Sequence, residues 1–262
     1  FDHADIFADL AAIETQFHHL VRTIPASGRI VANAREQSLA RVIERGCWSE
    51  LEWFNDAAQW SAAPGVSEAE AVFTLDGVEQ GRVDMPLAGS HNRENALAAI
   101  AAARHVGVTP AQSIASLARF RGIKRRLELR GVVDGISVYD DFAHHPTAIA
   151  LTVGGLRRRE PQGRILAVLE PRSNTMKLGV MKAQLPASLA EADAVFCFGA
   201  GLGWDAAEAL APLGERACAY DALDALVADV TAAARPGDHI LVMSNGGFGG
   251  VHQKLLDALA ER

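Results

Sequence analysis

Two runs, Arg164–Leu169 (RILAVL) and His239–Ser244 (HILVMS), constrain the fold more than any other feature of the chain. Each is apolar almost without a break, so neither has a wet face and a dry one. A strand of that kind is buried on both sides, the condition of a central strand in a parallel sheet covered by helices. Further strand segments fall at 136–139, 194–198 and 216–219. Helical spacings alternate with them at about 146–159, 182–190, 205–211, 222–235 and 251–261. Alternating βα units predict a doubly wound α/β domain. This texture begins after Arg121, which places the domain boundary in RFRGIK, near 120–125.

The preceding part reads differently. Apolar residues at Ile6, Phe7, Leu10, Ile13, Phe17, Leu20 and Val21 predict a helix from Ala4 to Val21. A short strand (SGRIVAN) and a helix over 36–45 follow. In AEAVFTLDGVEQGRVDM, Asp76-Gly77 separates two runs rich in Val, Phe and Thr, the pattern of an antiparallel hairpin. Residues 91–106 are alanine-rich and helical, ended by Gly107. Thr109 then caps, and Pro110 opens, the next helix.

Composition narrows the function classes. A formal charge of −7 over 262 residues argues against a non-specific nucleic-acid binder, which would carry a basic face. No apolar run reaches the roughly 18 residues of a membrane span. Cys47, Cys197 and Cys218 are far apart with no CxxC, as expected of reduced thiols in a cytoplasmic protein. The chain opens on Phe1 in a charged, histidine-bearing turn, which reads as the interior of a longer protein.

In open parallel sheets, ligands bind beyond the carboxyl ends of the strands. The loop after 136–139, DDFAHHP, offers Asp140 and Asp141 as acceptors for sugar hydroxyls and Phe142 as a plate for a base. His144 and His145 suit a carboxylate or a metal, at the positive end of a helix opened by Pro146. The plainer reading, an aspartate cap beside solvated histidines, explains one residue out of five. The loop EPRSNTMK offers Arg172, Ser173, Asn174 and Lys177, with Arg172 suited to gripping a carboxylate or phosphate through two hydrogen bonds. SNGGFGGVHQKLL sets Ser244, Asn245 and backbone amides at a helix start, which suits an anion. It is not the GxGxxG of a nicotinamide site.

Earlier in the chain, Asn92 and Asn95 lie three apart in GSHNRENALAAI, on one face of a first helical turn. Two carboxamides there can read the edge of a base, or one can simply cap the helix. Lys124, Arg125, Arg126 and Arg130 make a basic cluster at the boundary, fit for phosphates or for plain solvation. His3 and Asp5 could ligate a divalent cation, although two residues make a thin motif.

Taken together, these motifs resemble the Mur ligase family, the ATP-dependent amide-bond-forming enzymes of peptidoglycan synthesis. DHADIF is similar to the family's Asp-His turn, GSHNRENALAAIAAA to its adenine-binding helix, and RRLE and VYDDFAHHPTA to its hinge and the first strand-loop of its C-terminal domain. QFHHLVR, GCWSE, LEPRSNTMKLG and DHILVMSNGGFGGVHQKLL resemble the murein-recycling branch, which joins a preformed tripeptide to UDP-N-acetylmuramate. The branch that adds L-alanine shares DDxxHHPT but differs in the later loops.

The resemblance implies a truncated ATP-binding central domain at 1–122. A complete Rossmann-like, mostly parallel-sheet, peptide-binding domain would follow at 123–262 and deliver the peptide by closure. It implies ATP and Mg2+, with His3 on the metal and Asn92 and Asn95 facing adenine. Arg126 would reach the ATP phosphates, Asp141 would bind the ribose, and Phe142 would lie beside the nucleotide. His144, His145, Arg172, Ser173, Asn174, Ser244 and Asn245 would hold the incoming peptide, with Arg126 and His145 taking part in catalysis. Small molecules are the implied partners, with neither nucleic acid nor membrane among them.

One departure is large. The family's phosphate loop, GxxxxGK[ST], has no counterpart, because the chain contains no Gly-Lys dipeptide. The resemblance therefore implies a fragment that is not a competent ligase by itself. Two rivals stay open. One is a metal-dependent hydrolase using His3, Asp140, Asp141, His144 and His145, although no HxH or HExxH spacing occurs. The other is a non-catalytic nucleotide- or peptide-binding module.

Overall fold

The computed structural model describes residues 3–67, 69–85 and 89–262. The described chain forms two compact units, residues 6–121 and residues 122–262, the latter joined by residues 3–5.

The first unit contains α1 (Leu10–Thr23), β1 (Arg29–Asn33), α2 (Gln37–Glu44), β2 (Glu50–Phe54), β3 (Trp60–Pro64), β4 (Glu70–Leu75), β5 (Val78–Asp84), α3 (Ser90–His105) and α4 (Pro110–Leu117). Its sheet runs β1-β2-β3-β4-β5. The pairs β1–β2 and β2–β3 are parallel, whereas β3–β4 and β4–β5 are antiparallel. Asp76 and Gly77 both take left-handed backbone, with φ of 52° and 75°, which is what a two-residue hairpin turn demands. Trp60, Phe73, Leu97 and Ile100 form the centre of the core beneath α3. Thr109 and Gln112 complete a capping box at α4. The predicted helix from Ala4 instead starts at Leu10, because Asp9 caps it by accepting from the Ala12 amide at 2.8 Å.

The second unit contains β6 (Glu128–Val133), β7 (Ile136–Asp141), α5 (Pro146–Arg159), β8 (Ile165–Leu169), α6 (Asn174–Lys177), α7 (Leu185–Ser188), β9 (Ala194–Phe198), α8 (Ala206–Leu210), β10 (Ala217–Tyr220), α9 (Leu223–Ala233), β11 (His239–Met243) and α10 (Val251–Ala260). Its sheet runs β10-β9-β8-β11-β7-β6. Every pairing is parallel except that of the edge strand β6 with β7. Alternate side chains of the central strands feed two cores. Ile165, Ala167 and Leu169 pack with residues of α5 to α8, while Leu166 and Val168 pack with residues of α9 and α10. The periodicity missed β6. Leu129, Arg130 and Val132 are exposed on it, so no dry face marks the segment as a strand. The helix expected over 182–190 divides into a 3₁₀ turn, Lys182–Gln184, and α7, with Pro186 in the first turn of α7.

Burial sorts the cysteines. Cys197 lies inside β9, where loss of solvent pushes its thiol up to about 12, while Cys218 is exposed on β10 and Cys47 is half-buried. A thiol reagent at pH 8 should therefore modify Cys218 in the native chain and reach Cys197 only after urea unfolding. Intact-mass labelling checks this, and native modification of Cys197 would contradict the core described here. Among the described residues, no helix is long and apolar enough to cross a membrane.

Candidate functional site

The order of the second sheet places β11 between β8 and β7. The loops after β7, β8 and β11 therefore leave neighbouring strands at their carboxyl ends, at the point where the winding reverses. Crevices of doubly wound sheets open there.

Local chemistry ties these loops together. The Ser244 amide donates to the Asp141 carbonyl at 3.1 Å, and the Glu170 amide to the Met243 carbonyl at 3.0 Å. The Ser244 hydroxyl donates to Glu170 Oε2 at 2.5 Å and accepts from the Gly246 amide at 2.9 Å. Arg172 crosses the Gly246 backbone so closely that a Cβ there would fall 2.6 Å from Arg172 Cδ. Arg125 reaches back from the chain entering β6. Its Nη2 donates to the Ser244 and Gly246 carbonyls, and its Nε lies 3.3 Å from Asp140 Oδ1.

Beside this knot lies a hollow of about 130 Å³ between the loops after β8 and β9. Glu170, Arg172, Lys177, Phe198 and Leu202 wall it. Two cations and one carboxylate around so small a space suit an anionic or zwitterionic group. Trp204 secures the flanking loop by donating its indole N–H to the Met176 carbonyl at 2.7 Å.

Several residues read as ligand contacts have partners within the chain. Asp141 is 3% exposed, and its carboxylate accepts from the Leu127 amide at 2.7 Å, the Ala143 amide at 2.8 Å and Thr152 Oγ1 at 3.3 Å. A carboxylate so enclosed organises its own loop. Burial pushes it above the ordinary carboxylate range despite the two amide donors. Ser244 is 1% exposed with its hydroxyl engaged as donor and acceptor, so it braces the loops. Asn245 is half-buried beside it. Ser173 caps α6 by accepting from the Met176 amide at 3.3 Å, and Asn174 donates to Asp5 at 2.8 Å. Asp140 is 3% exposed and sits among Arg125, Arg130 and His252. Burial lowers the basicity of His252, as do Arg130 and Arg125, while the charge of Asp140 opposes them.

Other candidates are half-buried or exposed. His145, not an aspartate, caps α5, with Nδ1 accepting from the Thr147 amide at 3.3 Å. His144 meets the Phe142 ring edge-on at 5.4 Å. Arg125 and Arg126 lie 5.2 and 5.8 Å from the centre of that ring. Arg126 is exposed, as is Arg172. In the first unit, Asn92 and Asn95 occupy the N-terminal turns of α3, the former half-buried and the latter exposed. His3 is exposed, and the neighbouring Ala4 amide donates to Thr175 at 3.3 Å. Among the described residues no group of three or more His, Cys, Asp or Glu could hold a metal ion.

Sequence reasoning missed the parts played by Glu170, Arg125, Trp204 and His252. Arg125 was visible only as one charge of a basic cluster. Nothing local signals that its partners lie in the loop after β11.

Comparison with known proteins supplies the remaining finding. Residues 1–103 match the Mur ligase middle domain, and residues 125–246 match the Mur ligase, glutamate ligase domain. The UDP-N-acetylmuramate–L-alanyl-gamma-D-glutamyl-meso-2,6-diaminoheptandioate ligase of Escherichia coli K12 is 51% identical over 100% of this chain and 58% of its own. The ligase of that name from Haemophilus influenzae is 49% identical over 99% of this chain and 58% of its own. The crystal structure of a murein peptide ligase from Psychrobacter arcticus superposes with a TM-score of 0.73 at 37% identity, over 98% of this chain and 56% of that one. The chain thus spans little more than half the length of the relatives it matches.

Proposed function

The chain belongs to the Mur ligase family, and from that premise we propose that it is the nucleotide- and peptide-handling part of an ATP-dependent ligase. The reaction would join the tripeptide L-alanyl-γ-D-glutamyl-meso-diaminopimelate to UDP-N-acetylmuramate, in peptidoglycan recycling in the cytoplasm. The observation that carries this reading is 51% identity, across the whole chain, to a ligase of that name. The cationic hollow beside the β8 loop supports it, since the tripeptide carries several carboxylates and an ammonium.

In the proposed chemistry the muramate carboxylate attacks the γ-phosphorus of ATP, releasing ADP and leaving an acyl phosphate. The alanyl amine of the tripeptide then attacks the acyl carbon. An amide forms, phosphate departs and the amine loses a proton. Arg126 stabilises charge on the phosphoryl oxygens. Asn92 and Asn95 meet the adenine edge, and residues 6–121 form the central nucleotide-binding part. Arg172 and Lys177, with His144 and His145 at the start of α5, hold the peptide's carboxylates. For magnesium, His3 brings one donor, and the described residues gather no set of three. No step above is routed through the ion.

The test is tripeptide-dependent phosphate release by the protein carrying this chain together with the portion its relatives have beyond it. Release should require UDP-N-acetylmuramate, ATP and the tripeptide. Efficient replacement of the tripeptide by free L-alanine would overturn the assignment.

A further inference from the structure

Arg126 stands between two residues in an unfavourable backbone state. Arg125 has φ of 58° and Leu127 has φ of 49°. Left-handed backbone is unfavourable for a side-chain-bearing residue, and it persists only where the surroundings over-determine it. Here they do. The Arg125 amide donates to Glu128 Oε2 at 2.8 Å, and the Arg125 carbonyl accepts from the Phe142 amide at 2.8 Å. The Leu127 amide donates to Asp141 Oδ2 at 2.7 Å. Both flanks of residue 126 are therefore pinned to the loop after β7, while its own side chain stays exposed.

The Arg125 side chain fixes the same arch to a second loop. It joins Asp140 at 3.3 Å to the carbonyls of Ser244 and Gly246. Behind Asp140, His252 on the first turn of α10 places Nε2 at 3.2 Å from Oδ1. Asp140 and Arg125 thus link the arch, the end of β7 and the loop after β11. A guanidinium launched from free chain would sample many positions. One launched from a backbone held at both ends begins in place, and a shift of about 1 Å in a catalytic group can cost 10²-fold in rate.

We infer that the strained arch 125–127 is a preorganising device, in which Asp140 and Arg125 act as positioning residues for Arg126. The inference rests on the ligase reading only in giving Arg126 a phosphoryl group to meet. It assigns Asp140 no contact with a substrate.

The experiment compares Asp140→Asn and Arg125→Lys with Arg126→Ala, all in the full-length ligase, and follows amide hydrogen exchange of the 262-residue chain by NMR. Asparagine keeps an acceptor but loses the charge. Lysine keeps a charge but cannot span a carboxylate and two carbonyls at once. The expected result for both is a kcat lowered about 30-fold or more with KM for the tripeptide within about threefold. Exchange at Leu127 and Phe142 should quicken while the melting temperature holds. A purely structural role would lower the melting temperature and leave turnover per folded molecule unchanged. Turnover within twofold of the parent in both variants, while Arg126→Ala abolishes it, would overturn the inference. Should Arg126→Ala retain full turnover, the role proposed for Arg126 fails instead. Exchange then decides the arch, and unchanged exchange in both variants would end it.

Discussion

Replacing Arg126 by alanine is expected to lower ligation by the full-length protein about 10²- to 10³-fold, with little change in stability. The magnitude follows from removing one charged donor from a developing phosphoryl charge. The small stability effect follows from exposure: the side chain is solvated and lies 5.8 Å from the Phe142 ring centre, a modest cation–π contact. Lysine at 126 should recover part of the rate, because it restores charge without the planar fork. Single-turnover phosphate release separates chemistry from product departure. Turnover within about fivefold of the parent would show that this guanidinium does not meet the phosphates.

A comparably large effect on folding is expected at Asp238. This residue precedes β11 and is 3% exposed. Its carboxylate accepts from Arg164 Nε at 2.9 Å and Nη2 at 2.5 Å, and from the Arg235 amide at 2.8 Å. Arg164 precedes β8, so the pair fastens the amino ends of two adjacent central strands. Burial alone would raise the Asp238 carboxyl. The Arg164 hydrogen bonds, the Arg235 amide and the two positive charges outweigh it and hold the carboxyl below the ordinary range.

Asp238→Ala should cost about 2–3 kcal/mol at pH 7, below the usual range for a broken buried pair because Arg164 remains partly solvated. The sign with pH is fixed by the depressed folded value. Ionised Asp238 contributes its full stabilisation above the unfolded carboxyl's pKa of about 3.9 and loses it as pH falls through the folded one. Urea unfolding of parent and variant should therefore differ most near neutrality, and the gap should shrink as pH falls below the unfolded carboxyl's value. An equal gap at both ends would refute the assignment.

The backbone of the second sheet was readable because its central strands are buried on both faces, and RILAVL and HILVMS admit few other fates. The hairpin was readable because Asp76-Gly77 permits two successive left-handed residues. β6 was not, because an edge strand with exposed Leu129, Arg130 and Val132 has no consistent dry side. At the site, the loops were legible, but the intrachain partners of their polar residues were not. Asp141 and Ser244 are polar residues in loops at the carboxyl ends of the strands, and sequence cannot tell a group left open to a ligand from one that meets the chain's own amides. Burial decides it, and burial depends on Arg125, Leu127 and Glu170, none of them adjacent to its partner along the chain.

Gly246 is felt mainly through what it lacks. With no side chain, it lets the Arg172 stem lie flat across the main chain, and so sets how wide the mouth beside that guanidinium is. Saturation mutagenesis at 246 would work like adjusting a spacer. Alanine would press on the arginine and larger residues would evict it, which on the proposed reading would alter which peptides are accepted.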